Sequence, residues 1–229
     1  MLLCKGAIMQ KKFLIFLVSV FLCINGCTSY NCAAPVQDVN VHRVGKIRYH
    51  LVQPGETLYA VAWRYEKDYR LLASLNHLRP PYAIKPGDLI RLSGSTNAKR
   101  IVRTKPIRIK QHWRWPTAHH SVSRGFSSSN KGIDIAGYYN TPVFAAAKGQ
   151  VVYAGNGIRG YGNLLIIKHN TVYLTAYACN SNLFVKQGQL VRAGQKIALM
   201  GMNNSLGKVA LHFEIRRAGK AVNPLHYLS

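Results

Sequence analysis

The 229-residue sequence carries 31 Lys and Arg against 7 Asp and Glu, a formal net charge of +24, while 48% of its residues are hydrophobic. That apolar content is ordinary for a chain that folds around a core, and it excludes a disordered polycation, which lacks the apolar surface to offset ordering entropy. The length admits one or two modest domains, and so lopsided a charge points to an anionic partner: nucleic acid, an anionic membrane, or an anionic polymer outside the cell.

Lys11 and Lys12 precede an apolar run over residues 13–24, followed by Asn25, Gly26 and Cys27. A positive segment, a short apolar segment and a small residue in that order form a secretory signal layout. The run is about a dozen residues, against roughly 20 for a helix that crosses a membrane. Met9, just before the lysines, is a second candidate start. Ile24-Asn25-Gly26-Cys27 resembles a bacterial lipobox. The resemblance implies a signal over residues 1–26 and a lipidated Cys27, whose thiol carries the diacylglycerol. The alternative is an ordinary signal with an incidental cysteine. Of the five cysteines, Cys4 and Cys23 fall in the signal, leaving Cys32 and Cys179 as ordinary thiols. This is too sparse for a disulfide scaffold, although a Cys32–Cys179 bridge stays open. Secretion also weakens the nucleic-acid reading, because the basic residues are spread out and no RNP, zinc-finger or helix-turn-helix signature gathers them.

Residues 27–47 are polar and read as a lipidated tether. Residues 48–92 predict a small βααβ domain. Residues 48–53 alternate like a strand, and Pro54-Gly55 makes a turn. A helix runs through Leu58, Val61, Ala62 and Tyr65, and a second helical stretch covers 71–76. Pro80-Pro81 forms a loop, and Pro86-Gly87 turns into a strand over 89–92. The runs Tyr49-His50-Leu51-Val52-Gln53-Pro54-Gly55-Glu56-Thr57-Leu58, Leu75-Asn76 and Ile84-Lys85-Pro86-Gly87-Asp88-Leu89 resemble a LysM domain. The resemblance implies binding of N-acetylglucosamine-containing glycans such as peptidoglycan, in a groove made by the loops 55–58 and 78–84. The candidate contacts are Gly55, Glu56, Thr57, Leu58, Pro80, Pro81, Tyr82 and Ile84. A helix start supplies amides to a sugar, and Tyr82 offers a ring to its apolar face. The alternative is that the prolines and Tyr82 only stiffen the loop. Residues 93–112 hold Lys99, Arg100, Arg103, Lys105, Arg108 and Lys110 with no acid, the composition of a solvated linker. A weak hold on anionic wall polymers is its functional alternative.

From residue 113 to 229 the pattern becomes short β-runs punctuated by glycine, at 149–154, 163–168, 172–178, 196–200 and 211–216, which predicts an antiparallel β domain and a mainly β chain. Trp115-Pro116-Thr117, Lys131-Gly132-Ile133-Asp134-Ile135-Ala136, Gly149-Gln150-Val151-Val152-Tyr153-Ala154-Gly155, Gly160-Tyr161-Gly162-Asn163, Tyr177-Ala178 and Leu211-His212-Phe213-Glu214-Ile215-Arg216 resemble the LytM, or lysostaphin-type, zinc endopeptidases, which have a duplicated hybrid motif. The resemblance implies zinc held by a His and Asp spaced H-x-x-x-D and by the second His of H-x-H, with two further histidines assisting the bound water. Position by position, Asn130 stands at the first ligand, Asp134 and His212 are kept, Ala210 replaces the first His of H-x-H, and Cys179 replaces the other helper. Catalytic zinc takes three protein ligands and an open position, and the general base is gone as well. The expectation is therefore no catalytic residue, no cofactor and a vestigial Asp134 and His212. Asp134, Cys179 and His212 form an alternative ligand set. The plainer reading makes Cys179 a small buried hydrophobe.

Lipobox, LysM segment, basic linker and degenerate LytM domain together resemble murein hydrolase activators of the NlpD type. The runs Asn130-Lys131-Gly132-Ile133-Asp134-Ile135 and Arg159-Gly160-Tyr161-Gly162-Asn163-Leu164 fit that group. The resemblance implies a non-catalytic lipoprotein anchored in the outer membrane, facing the periplasm, that binds peptidoglycan and activates a periplasmic N-acetylmuramoyl-L-alanine amidase during division. A groove emptied of ligands can be reused for binding, and its candidate residues are Asn130, Lys131, Asp134, Arg159, Tyr161, Tyr177, Cys179 and His212. Lys131 suits an acidic partner residue, and the tyrosines have hot-spot composition. Two alternatives stand beside this one: a zinc endopeptidase with an altered ligand set, and a passive wall anchor. His169 is expected to bond locally at a strand end. His112, His119 and His120 lack metal-site spacing, and His42, His50, His77 and His226 default to surface or structural roles.

Overall fold

The computed structural model describes residues 41–44, 47–94 and 113–229. Cys27, the expected signal over residues 1–26, most of the expected tether and the basic residues of the expected linker lie outside the described residues. Strand β1 (Val41–Val44) pairs antiparallel with β2 (Ile47–Leu51), which pairs in turn with β3 (Leu89–Arg91). The end of the segment expected to be tether is thus a strand, and the small sheet has three strands rather than two.

Between β2 and β3 lie α1 (Leu58–Arg64) and α2 (Tyr69–Leu75). Thr57 caps α1, its hydroxyl accepting from the Ala60 N–H, and Asp68 caps α2 by accepting from the Arg70 N–H. Such caps satisfy amides that have no partner within a helix. Leu58, Val61, Trp63 and Leu72 are buried beneath the helices.

The second region is one antiparallel sheet built from β4 (Val122–Arg124), β5 (Ile133–Ala136), β6 (Pro142–Phe144), β7 (Gly149–Gly155), β8 (Asn163–Lys168), β9 (Tyr173–Leu183), β10 (Leu190–Val191), β11 (Lys196–Met200), β12 (Met202–Asn203), β13 (Lys208–Arg217) and β14 (Lys220–Val222). Its main path runs β10-β7-β8-β9-β13-β5-β4. The mainly β architecture expected from the glycine-punctuated runs is present. Trp113 forms a bridge with Leu228, and the Ser229 N–H donates to the Trp113 carbonyl, so the start and end of this region meet.

Strand β8 reads Asn-Leu-Leu-Ile-Ile-Lys, without polar alternation. The fold explains this, because both of its faces are covered. Leu165 and Ile167 pack inward with Ile133, Tyr177, Leu211 and Phe213. Leu164 and Ile166, with Val152, Leu174 and Ala176, share a core with Leu58, Val61, Trp63 and Leu72 of the helical region. The two regions are docked. The Thr57 hydroxyl donates to the Val152 carbonyl (3.1 Å), and Arg64 Nη2 donates to the Gly157 carbonyl (2.8 Å). Gly219, at a φ of +80°, brings the β13–β14 turn so close that a Cβ would lie 2.3 Å from the Asp68 backbone nitrogen. No larger residue fits that approach.

Candidate functional site

Strand register brings together the residues kept from the zinc motif. His212 on β13 lies opposite Asp134 on β5, and Arg124 on β4 pairs with Asp134 from the other side. Side chains two apart on a strand share a face, so Ala210, His212, Glu214 and Arg216 line one side of β13 while Leu211, Phe213 and Ile215 fill the core on the other. The result is a continuous chain of opposite charges. Arg124 Nε meets Asp134 Oδ2 at 2.5 Å, and Asp134 Oδ1 meets His212 Nδ1 at 2.8 Å. His212 Nε2 meets Glu214 Oε1 at 3.1 Å, and Arg216 Nε donates to Glu214 Oε2 at 3.0 Å. Arg216 then crosses to the helical region, where Nη1 donates to the Trp63 carbonyl and the guanidinium stacks 3.8 Å over the Trp63 ring.

The charges set one another. Burial alone would lower the His212 pKa, but hydrogen bonds to Asp134 and Glu214 outweigh it and hold the imidazolium up to about 9. Burial alone would raise Asp134, and the bonds from His212 and Arg124 pull it below the ordinary carboxylate value. Glu214 is likewise lowered, against burial, by Arg216, His212 and Tyr161.

These residues do not fit a zinc ion. Both His212 nitrogens lie against carboxylates, Nδ1 against Asp134 and Nε2 against Glu214, so neither points at an open position. Asp134 Oδ2 takes Arg124 and the Asn130 amide (3.3 Å), and Oδ1 takes His212 and the Asn203 amide (3.2 Å). Asn130 Oδ1 is buried without a hydrogen-bond partner, a neutral oxygen where the peptidase pattern has imidazole. The Arg124 guanidinium supplies the positive charge that Asp134 would otherwise share with a metal. Cys179 is a buried thiol at φ +61° within the core shared with the helical region.

The expected partner groove is corrected on the same grounds. Asn130, Asp134, Tyr161, Tyr177, Cys179 and His212 are all buried. Tyr177 accepts from the Ala146 N–H (2.8 Å), and burial pushes its phenol up to about 12. Tyr161 donates to Glu214 (2.8 Å). Neither ring is available to a partner. Lys131 is half-buried and Arg159 exposed. The exposed tyrosines are Tyr138 and Tyr139, just after β5. Sequence reasoning missed Arg124, Glu214 and Arg216. Glu214 and Arg216 had a signal, two opposite charges at i and i+2 in an otherwise apolar run; Arg124 had none.

The second candidate site is a cleft of ≈ 530 Å³ bounded by Thr57, Tyr59, Pro80, Pro81, Tyr82 and Ile84 on one side. Six of the eight expected glycan contacts therefore lie in its wall: Glu56, Thr57, Pro80, Pro81, Tyr82 and Ile84. Gly55 is exposed nearby with open space about it. Glu56 also borders the cleft, but its carboxylate is committed to His50 Nε2 (2.6 Å), the Gln53 N–H (2.9 Å) and Arg64 Nη1 (2.7 Å). Burial would raise its pKa, and these partners lower it instead. Leu58 is fully buried core. Leu58 has no surface to offer a ligand, the Glu56 carboxylate is already engaged, and His50 is a buried partner of Glu56 and Tyr65. Tyr82 stands on Tyr59 and Tyr69, with ring centroids 6.1 and 5.8 Å away.

Residues 50–93 match the LysM domain and residues 128–224 match peptidase family M23. The chain is 38% identical over 227 residues to the lipoprotein NlpD/LppB homologue of Pseudomonas aeruginosa, an alignment covering 78% of this chain and 76% of that one. The chain belongs to the NlpD/LppB lipoprotein family. Over 246 residues it is 37% identical to the uncharacterized lipoprotein YgeR of Escherichia coli, covering 96% and 94% of the two chains. Over 256 residues it is 34% identical to the murein hydrolase activator NlpD of the same organism, covering 78% and 67%. In this family member the M23 region contains the charge chain from Arg124's partner Asp134 to Arg216, and the LysM region contains the aromatic wall of the cleft.

Proposed function

We propose that this protein is a non-catalytic, peptidoglycan-binding lipoprotein that activates a periplasmic N-acetylmuramoyl-L-alanine amidase in cell-wall splitting. Cys27 carries its lipid in the outer membrane, facing the periplasm, and the LysM region grips glycan strands. The observation that carries the reading is the set of contacts at His212 and Asp134: the two His212 ring nitrogens lie against the carboxylates of Asp134 and Glu214, and Asp134 is also bonded to Arg124, so both side chains are engaged with protein groups. The name of the E. coli relative, a murein hydrolase activator, supports the same direction. The partner surface consists of the half-buried Lys131 with the exposed Arg159, Tyr138 and Tyr139, while the buried ion chain holds the strands beneath in shape.

The test is dye release from labelled sacculi by the purified protein, by an amidase, and by both together. The expected result is no release by the protein alone and strong stimulation of the amidase. Release by the protein alone that a chelator abolishes overturns the reading.

A further inference from the structure

We propose that the cleft between the LysM loops and strands β7 and β8 is one composite glycan site, in which Lys168 selects strands whose N-acetylmuramic acid bears a free lactyl carboxylate. This rests on the peptidoglycan-binding reading above and adds to it a second wall and a preference.

The first wall is aromatic and apolar, from Tyr59, Tyr82 and Ile84, and suits the C–H face of a pyranose. The second wall belongs to the M23 region: Gln150, Lys168 and Gln187. Gln150 and Lys168 are cross-strand neighbours on β7 and β8. Gln150 and Gln187 are exposed, and each amide both donates and accepts, as hydroxyl and N-acetyl groups require. The volume falls within the roughly 300–1,000 Å³ of ordinary ligand sites.

The charge in this cleft is one-sided. The Lys168 ammonium lies 5.9 and 5.7 Å from the ring centroids of Tyr59 and Tyr69, and no carboxylate pairs with it among the described residues. The cleft's one acid, Glu56, is already paired with Arg64 and hydrogen-bonded to His50. An anion on the sugar is therefore the complement this site lacks. Intact peptidoglycan has no such anion on the muramyl residue, because the lactyl carbonyl is amide-bonded to the stem peptide. Amidase hydrolysis adds water across that C–N bond. The acyl carbon takes hydroxyl and ionises to carboxylate, and the alanine nitrogen leaves as an amine. The product strand gains a negative charge at each cleaved residue and loses a branch that a two-walled cleft would have to pass. The site thus recognises the product of the reaction that the protein promotes.

The test uses the full-length chain in detergent with three soluble probes of equal length: strands carrying stem peptides, the same strands after amidase treatment, and neutral chitin oligosaccharides. Calorimetry is expected to show the stripped strands binding about fivefold more tightly than either other probe, as a partly exposed ion pair of about 1 kcal/mol allows. Lys168→Gln is expected to bring that ratio close to one, and Lys168→Arg to restore it. Equal binding of stripped strands and chitin by the unaltered protein, or a ratio that survives Lys168→Gln, overturns the preference while leaving peptidoglycan binding standing. Failure to bind any of the three overturns both.

Discussion

Replacing His212 by glutamine removes the cation that joins two buried carboxylates, and the consequence depends on pH in a calculable way. In the folded chain the imidazolium persists up to about 9, against an ordinary value of 6.5. Because the folded pKa is raised, its stabilisation is fully present below 6.5 and is lost as pH rises through 9. That difference corresponds to about 3 kcal/mol. The acid side runs the other way. Asp134 and Glu214 have lowered values, so their contribution is present above the ordinary carboxylate range and is lost as pH falls through the folded values. His169 adds to that limb: burial lowers its pKa to about 4, so below 6.5 the unfolded chain takes the proton first. Maximum stability is expected near pH 6.5. There, His212→Gln is expected to cost about 3–5 kcal/mol, the usual penalty for removing one member of a buried ion pair. The melting temperature then falls on the order of 10 °C for a chain of this length. At pH 9.5 the gap between variant and parent narrows, because the parent has lost the charge too. Thermal unfolding by circular dichroism from pH 5 to 10 reads both curves, and an NMR titration assigns the imidazole. Parallel curves between pH 6.5 and 9.5 would refute the linkage.

Restoring the peptidase pattern with Asn130→His, Cys179→His and Ala210→His is expected to give neither stoichiometric zinc nor digestion of sacculi while Arg124 and Glu214 hold Asp134 and His212; one zinc per chain by atomic emission would contradict this. Lys131→Glu and the pair Tyr138→Ser with Tyr139→Ser are each expected to lower amidase stimulation about tenfold, with stability changed by less than about 0.5 kcal/mol, as surface changes usually are. Unchanged stimulation in a dye-release assay would remove those residues from the partner surface. Gly219→Val is expected to loosen the docking of the two regions, seen as faster amide exchange in Trp63 and Val152 together; unaltered protection of both would show that the turn does not set the interface.

What was legible in the sequence was local. The turn residues, the helical spacing of Leu58, Val61, Ala62 and Tyr65 and the short β-runs announce both folds because they act over a few positions. The losses at Asn130, Cys179 and Ala210 likewise follow from position alone. What was hidden depends on contacts across long separations. Glu56 resembles a helix-start glycan contact until His50 and Arg64 are seen to occupy it. Tyr161 and Tyr177 read as amphipathic surface rings, yet each hydroxyl finds an internal partner and the ring is buried. The docking of the regions had a trace in the unbroken Leu164-Leu165-Ile166-Ile167 run, which needs two covered faces; the expected basic linker drew attention toward independent modules instead.

The charge chain explains how Asp134 and His212 sit buried without a cavity between them. A buried Asp134 without metal is costly unless a cation replaces it, and Arg124 with His212 supplies that replacement from either side. The cost then passes along β13: His212 needs Glu214 once it is charged, and Glu214 needs Arg216. Arg216 in turn reaches the Trp63 carbonyl and ring, so the last term is settled only when the LysM region is in place. The ion pairs around Asp134 and the docking of the two regions are therefore parts of one electrostatic arrangement. The same docking turns the β7–β8 surface toward Tyr59 and Tyr82, so the residues of the charge chain also help bring Lys168 to the cleft beside the LysM loops.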